Sequence, residues 1–120
     1  MPGTLLLAAA VLLIGTARAD EVTMNAEIDY LLDTVGESRC VFIRNGKEHA
    51  ASAARDHLRT KRKRGRRHFD SADEFIERLA SRSSLSGKDY MIRCGDELVT
   101  ANAWFTAALE RYRESAKTDL

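Results

Sequence analysis

The stretch CVFIRNG, residues 40–46, decides the fold, because it joins a short strand to a tight turn. Residues 40–44 are rich in β-branched and aromatic side chains and are too few for a helix, which predicts a strand. Asn45 and Gly46 predict the turn, since both residue types tolerate positive φ. A second stretch, DYMIRC at 89–94, predicts another strand in which Tyr90, Ile92 and Cys94 share one face.

The two cysteines connect these predicted strands. Cys40 and Cys94 lie far apart in the chain, and such a pair in an exported protein favours a disulfide. Closing a loop of this length would contribute about 4 kcal/mol to the stability of the fold. With the cysteines opposite each other, antiparallel pairing places Phe42 against Ile92. A redox or metal-binding thiol pair is the alternative, but the C-x-x-C spacing typical of such sites is missing.

Helices are predicted around the strands. Apolar periodicity predicts helices over residues 25–38, 52–64, 69–81 and 101–113, and a short third strand over 97–99. Ser71 and Glu74 form a capping box at the start of the third helix, and Gly65 ends the second. The pattern predicts an α+β domain, with a small antiparallel sheet of two or three strands packed against about four helices and one disulfide.

Residues 1–19 predict a secretory signal peptide. Residues 5–14 are an uninterrupted apolar run, short for a bilayer span, and Ala17 and Ala19 are the small residues that a signal peptidase requires. Cleavage before Asp20 would leave a single domain of residues 20–120, with an ordered core over about 25–114 and no transmembrane segment. Because no Lys or Arg precedes the apolar run, a retained membrane anchor is the alternative.

Positive charge is concentrated in one segment of an otherwise balanced chain. The formal net charge is +1, and loss of Arg18 would leave the exported domain neutral, so no general attraction to nucleic acid is expected. Seven basic residues lie within nine positions: Arg59, Lys61, Arg62, Lys63, Arg64, Arg66 and Arg67. They form a candidate polyanion patch for nucleic acid, anionic lipid headgroups or lipopolysaccharide phosphates. Aromatic residues for base stacking are missing from the run, export argues against chromosomal DNA, and a solvated helix end is the simpler interpretation.

The segment SSLSGKDY, residues 83–90, carries three serines, a glycine and a lysine. It is not a P-loop, because Arg82 stands where the first glycine belongs and Asp89 where Ser or Thr belongs. It is not an S-x-x-K site either, since the residue three positions before Lys88 is a leucine. The simplest prediction is a helix end that turns into the second strand through Gly87.

No cofactor chemistry is predicted. His49, His57 and His68 do not have the spacing of a zinc motif, so neither a metal nor another cofactor is expected. A cysteine nucleophile is disfavoured because the disulfide would consume both thiols, and no catalytic residue is predicted.

Three further patterns carry a resemblance. The stretches SRCVFIRNGKEH and EFIERLASRSSLSGKDYMIRC and the later pattern WF…L…YR resemble the YfeK-like family of small bacterial secreted or periplasmic proteins. The resemblance runs from about Ile28 to Arg113, and its most specific pieces are FIRNG and SSLSGK. It implies export to the periplasm of a Gram-negative bacterium and one compact domain. Since this is a family of unknown function, the resemblance implies no catalytic assignment.

These two specific pieces predict a candidate binding corner. The predicted pairing brings Arg44 beside Tyr90, so that the RNG turn and the 83–88 loop lie at the same end of the sheet. The candidate residues are Arg44, Asn45, Gly46, Ser83, Ser84, Ser86, Gly87 and Lys88. Two cations with several hydroxyls and amides suit a small anion. The alternative is that serine hydroxyls and Asn45 only fasten the two turns together.

The sequence therefore predicts a periplasmic, non-enzymatic binding or interaction module. Its partner would be an unknown protein or a small anionic ligand of the cell envelope. Two alternatives stay open: a small envelope enzyme or enzyme inhibitor that uses the corner, and polyanion binding through residues 59–68.

Overall fold

The computed structural model describes residues 8–118, with side chains from Asp20 onward. The elements are α1 (Ala8–Glu37), β1 (Val41–Arg44), β2 (Lys47–Ala50), α2 (Ala51–Arg64), α3 (Ala72–Phe75), β3 (Met91–Cys94), β4 (Glu97–Thr100) and α4 (Ala101–Thr118). A 3₁₀ turn, Arg66–His68, follows α2, and a π-helical segment, Ile76–Ala80, extends α3. The order helix, hairpin, helix therefore occurs twice along the chain.

The four strands form one antiparallel sheet in the order β2-β1-β3-β4. Phe42 pairs with Ile92 across the two inner strands, and Cys40 and Cys94 form a disulfide with Cα atoms 4.5 Å apart. The α+β class, the register and the disulfide are thus confirmed. The sheet also contains β2, which was not predicted, because its residues KEHA are mostly polar and exposed and lack the composition of a typical strand.

The core lies between the helices and one face of the sheet. Phe42, Tyr90 and Ile92 are buried, whereas the alternate residues Ile43 and Met91 are only half-buried. This alternation is what a sheet shows when helices cover one of its faces. The side chains of Phe42 in β1 and of Tyr90, directly before β3, therefore point towards the helices that cover the sheet.

The first helix is longer than predicted. It begins at Ala8 rather than near Asn25, so that Asn25 lies within the helix, where its side chain accepts a hydrogen bond from Arg62 Nη2 (3.1 Å). Among the helices of residues 8–118, none is long and apolar enough to cross a membrane. The predicted signal peptide, residues 1–19, lies outside the residues whose side chains are described, so cleavage before Asp20 stays a prediction.

The third helix begins as predicted but changes form. Ser71 Oγ accepts the N–H of Glu74 (3.1 Å), while the Glu74 carboxylate accepts the N–H of Asp70 (2.8 Å) rather than that of Ser71. The π segment that follows places Leu79 against Gly65, at which an added Cβ would lie 2.9 Å from a Leu79 methyl carbon. This close approach explains why a glycine ends α2.

An ion-pair cluster joins α1, α3 and α4. Glu27, only 7 % exposed, accepts from Arg113 Nε at 2.6 Å. Arg113 Nη2 also donates to Asp73 at 2.8 Å. The hydrogen bonds that Arg113 donates to both carboxylates raise the pKa of Arg113 and stabilise its charged form. We call these three residues the Arg113 cluster.

Candidate functional site: a basic cleft beside α2

A cleft of about 620 Å³ opens where α2, the turn between β1 and β2, and the loop before β3 meet. Its basic residues are Arg44 from β1 and Lys61 and Arg64 from α2. The remaining lining residues are Asn45, His57, Thr60, Gly65, His68, Leu79, Ser83, Ser84, Leu85 and Tyr90. Among the described residues, no Asp or Glu lines this space, which we call the basic cleft.

Helical spacing explains how α2 supplies one wall of the cleft. His57, Lys61 and Arg64 lie at positions i, i+4 and i+7, which is one face of a helix. The rotation of α2 is fixed by Ala54 and Leu58, its buried residues. With these two in the core, the 57–61–64 face is left beside the loop before β3.

The arginines on the other side of α2, and Arg66 in the 3₁₀ turn that follows it, meet carboxylates. The pairs with α1 are Arg59–Asp33 (4.0 Å), Arg62–Asp29 (2.6 Å) and Arg66–Glu21 (3.6 Å). A shallow depression of about 550 Å³, lined by Arg59, Thr60, Arg62, Lys63 and Arg66, lies on this side, and we call it the paired groove. The seven basic residues predicted as one patch are thus separated: Lys61 and Arg64 line the basic cleft, Arg59, Arg62, Lys63 and Arg66 line the paired groove, and Arg67 lines neither.

Tyr90 forms the centre of the basic cleft. Its ring is buried against Phe42, with ring centroids 5.1 Å apart. Lys61 Nζ donates to Tyr90 Oη at 3.1 Å and to the carbonyl oxygen of Arg82 at 3.1 Å. His57 Nε2 lies 3.4 Å from the same hydroxyl. The tyrosine hydroxyl therefore holds a lysine and a histidine of α2 against the sheet.

The electrostatics of the cleft disfavour additional positive charge. Burial lowers the pKa of the His57 imidazole to about 4, so the ring is neutral at pH 7. The charges of Arg44, Lys61 and His49 act in the same direction. Burial, with a smaller effect of Arg44, also lowers the pKa of Lys61 to about 8. Burial raises the pKa of Tyr90, so its hydroxyl stays protonated.

Both arginines of the cleft lack a partner within the described residues. Neither Arg44, which is half-buried, nor the exposed Arg64 has an ion pair or a side-chain hydrogen bond within the described part of the chain. A guanidinium carries five N–H donors and is always charged. These donors are therefore available to an anion that enters the cleft.

The predicted corner is only partly included in the cleft. Arg44, Asn45, Ser83 and Ser84 line it, whereas Gly46, Ser86, Gly87 and Lys88 do not. The two turns do meet, because Ser86 Oγ donates to Asn45 Oδ1 at 2.6 Å. The cations beside Arg44 come from α2, while Lys88 is exposed on the far part of the loop.

The serine hydroxyls mainly hold their own loop. Ser83 Oγ accepts the N–H groups of Leu85 (3.3 Å) and Ser86 (3.2 Å), and Ser86 Oγ accepts the N–H of Lys88 (3.2 Å). Gly87, with φ of 72°, allows the chain to return to the sheet in a conformation that other residues rarely adopt. Two of the three serine hydroxyls of the loop are thus engaged, whereas that of Ser84, which lines the cleft, has no hydrogen bond within the described residues.

Sequence reasoning missed the contribution of His57 and Tyr90. The signal for His57 was its helical spacing from Lys61 and Arg64, which separates these three from the arginines that face α1. Tyr90 was assigned only as a strand residue, although the predicted register already placed it beside Arg44. No group of three or more His, Cys, Asp or Glu that could hold a metal ion occurs within residues 8–118.

Comparison with known proteins gives a family without an assigned activity. The sequence profile of a family of unknown function, DUF5329, matches residues 22–113. The uncharacterized protein YfeK of Salmonella typhimurium is 38% identical over 66 residues, which are 54% of this chain and 55% of the relative. The chain therefore spans about half the length of this curated relative. No solved structure matches.

Proposed function

Since this chain belongs to the DUF5329 family, whose function is unknown, we propose from the cleft geometry that it is an exported envelope protein that binds a small anionic ligand. The resemblance to the YfeK-like family is confirmed by the match to the uncharacterized protein YfeK. The observation that carries the proposal is the set of three cations, Arg44, Lys61 and Arg64, in a cleft without a described carboxylate. Export rests on the predicted signal peptide.

Uncompensated charge is costly in a partly buried site, which supports a ligand. Burial is the main cause of the lowered pKa values of His57 and Lys61, and the neighbouring charge of Arg44 lowers both further, so additional positive charge in the cleft is unfavourable. An anion would relieve this repulsion and would satisfy the guanidinium donors of Arg44. Arginine contributes directional pairs of N–H groups and lysine a compact charge, a combination that suits phosphate or carboxylate oxygens.

The two alternatives receive less support. A polyanion patch over residues 59–68 is weakened because Arg59, Arg62 and Arg66 are neutralised by carboxylates of α1. An envelope enzyme that uses Ser83 or Ser86 is weakened because the Ser83 hydroxyl accepts amides of its own loop and the Ser86 hydroxyl donates to Asn45.

Amide NMR titration of the disulfide-bonded protein with inorganic phosphate at constant ionic strength tests the proposal. We expect saturable shifts at Arg44, His57 and Tyr90, and about tenfold weaker binding in Arg44→Gln, since a hydrogen bond to a charged group contributes about 1.5–3 kcal/mol. Arg62→Gln, which changes a paired arginine of the same helix, is the matched control and should bind like the native protein. Shifts that do not saturate, or that are equally large along the paired groove, would contradict the proposal.

Export is tested separately. The osmotic-shock fraction of cells that express the full chain should contain a protein whose first residue is Asp20, as measured by mass spectrometry. A protein that stays with the membrane fraction and keeps residues 1–19 would show that the apolar run is an anchor.

A further inference from the structure

We infer that the ligand of the basic cleft is an organic anion, with one anionic group on an apolar body, and not a bare inorganic ion. This inference rests on the proposed function and specifies its ligand class. It is drawn from the size of the cleft, from the different character of its walls and from the exposure of one leucine.

The size of the cleft exceeds what an inorganic ion requires. Its volume of about 620 Å³ lies within the range of roughly 300–1,000 Å³ that holds organic ligands. A bare phosphate bound between Arg44 and Lys61 would leave most of that space to water. The cations occupy the side formed by β1 and α2, so an anionic group bound there would leave the remainder of the cleft for another part of the ligand.

Apolar side chains form part of the remaining lining, which also includes the polar residues Thr60, His68, Ser83 and Ser84. Leu79, which packs against Gly65, and Leu85 line the cleft together with Tyr90. The Leu85 side chain is 100% exposed, although the loop that carries it is fixed by the hydrogen bonds of Ser83 Oγ. Covering the exposed Leu85 side chain with an apolar group of a ligand would be favourable. Little further ordering of the loop would be needed, because the loop is already hydrogen-bonded.

The geometry therefore separates two roles within one cleft. Arg44, Lys61 and Arg64 recognise the charged group, and Leu79 and Leu85 contact the apolar body. Alkyl phosphates have this chemistry, whether they are soluble metabolites or the headgroup ends of membrane lipids. The apolar contact predicts that affinity increases with the length of the alkyl body, which an inorganic-ion site would not show.

A matched pair of ligands tests the inference. Binding of inorganic phosphate and of octyl phosphate, kept below its micellar concentration, is measured by NMR titration of the disulfide-bonded protein. Burial of a few methylene groups predicts binding of octyl phosphate at least about tenfold tighter than that of phosphate. Leu85→Ser should weaken octyl phosphate binding about threefold to tenfold and leave phosphate binding unchanged. Leu98→Ser, which replaces another exposed leucine outside the cleft, is the control and should change neither.

The outcomes separate the inference from the proposed function. Equal affinities for the two ligands, or tighter octyl phosphate binding that Leu85→Ser leaves intact, would overturn the inference while the anion site stands. If neither inorganic phosphate nor octyl phosphate binds, the proposed function and the inference are overturned together. Sedimentation with vesicles of phosphatidylcholine and phosphatidic acid identifies the source: binding that is lost in Arg44→Gln and in Leu85→Ser supports a membrane lipid, and tight octyl phosphate binding without sedimentation supports a soluble ligand.

Discussion

Two depressions of similar size, the basic cleft and the paired groove, lie on different sides of α2. They differ in whether carboxylates compensate their positive charges. In the paired groove, Arg59 and Arg62 each lie within ion-pair distance of a carboxylate of α1. In the basic cleft, Arg44, Lys61 and Arg64 meet no carboxylate within the described residues. The basic residues of α2 on the two sides come from the same run of sequence. Pairing, rather than the number of positive charges, therefore distinguishes a structural surface from a candidate binding site.

The difference is energetic as well as geometric. Exposed ion pairs such as Arg59–Asp33 contribute little, about 0–1 kcal/mol, but they compensate the charge of the arginine. Lys63, which also lines the paired groove, has no ion pair within the described residues and is exposed. In the cleft, burial, with a smaller effect of the Arg44 charge, lowers the pKa values of His57 and Lys61, so their charged forms are less favourable in the folded protein than in water. A site that costs stability in this way is typical of function.

The largest effect is expected where a basic residue is most completely paired. Replacing Arg113 with Gln leaves the buried Glu27 without its partner, and loss of one member of a buried pair costs about 3 kcal/mol. Urea denaturation should show this decrease in the free energy of unfolding. Arg111→Gln, an exposed arginine of the same helix, is the control and should change stability by less than about 0.5 kcal/mol. Equal effects of the two variants would show that the pairing of Arg113 with Glu27 does not stabilise the protein.

The next largest effect is a pH dependence of the free energy of unfolding, which arises from His57 in the basic cleft. The pKa of His57 is about 4 in the folded protein and 6.5 in its reference state, so the unfolded chain binds more protons between these values. Stability therefore falls as the pH is lowered from 6.5 to 4. Because His57 is only half-buried, we expect it to account for about 1 kcal/mol of this loss of stability after allowance for solvent screening.

Urea denaturation of His57→Gln at pH 6.5 and pH 4 measures this contribution. The variant should lose less stability than the native protein over the same interval. His68→Gln, which changes an exposed histidine of the same cleft, should keep the native difference. A His57→Gln profile that parallels the native profile would show that His57 does not experience the charge of the cleft.

A smaller effect is expected when one arginine of each depression is replaced, Arg62 in the paired groove and Arg44 in the basic cleft. Arg62→Gln removes the contacts with Asp29 and Asn25 and should lower the free energy of unfolding by about 0.5–1 kcal/mol. Arg44→Gln removes a charge without a partner and should leave stability unchanged or slightly raised. Thermal denaturation at low salt measures both. A greater loss in Arg44→Gln than in Arg62→Gln would reverse the comparison.

The smallest effect concerns the loop that forms a cleft wall. Ser86→Ala removes the hydrogen bond to Asn45 Oδ1 and should cost about 0.5–1 kcal/mol, because both groups are exposed. Ser84→Ala is the control within the same loop and should cost less than Ser86→Ala. Hydrogen exchange of the Lys88 amide, which Ser86 Oγ accepts, should be faster in Ser86→Ala alone.

Much of the fold was predictable because its signals are local. The turn at Asn45 and Gly46 is one of these, since their φ values of 51° and 78° fit the two-residue hairpin that this dipeptide favours. The register followed from one further assumption, that Cys40 and Cys94 are bonded. Edge strand β2 was not predicted, because an exposed polar strand is recognised by its neighbour rather than by its own composition.

The site was predictable only where strand register decides it. Register placed Arg44 beside the 83–88 loop, and the two turns do meet through Asn45 and Ser86. The direction of Lys61 was not predictable, because the apolar face of α2 fixes the rotation of the helix but does not say which element lies on either side of it. Spacing alone divides the basic run into two faces, and only tertiary packing shows which face meets carboxylates.

The most direct test of the central claim, that the basic cleft holds uncompensated positive charge available to an anion, is NMR titration of the His57 ring with and without sulfate. Sulfate is a suitable probe because it stays doubly charged over the whole pH range of the titration. We predict a pKa of about 4 without sulfate, and an increase at saturating sulfate because the bound anion stabilises the imidazolium form. A His57 ring that titrates near 6.5 and does not respond to sulfate would contradict the account.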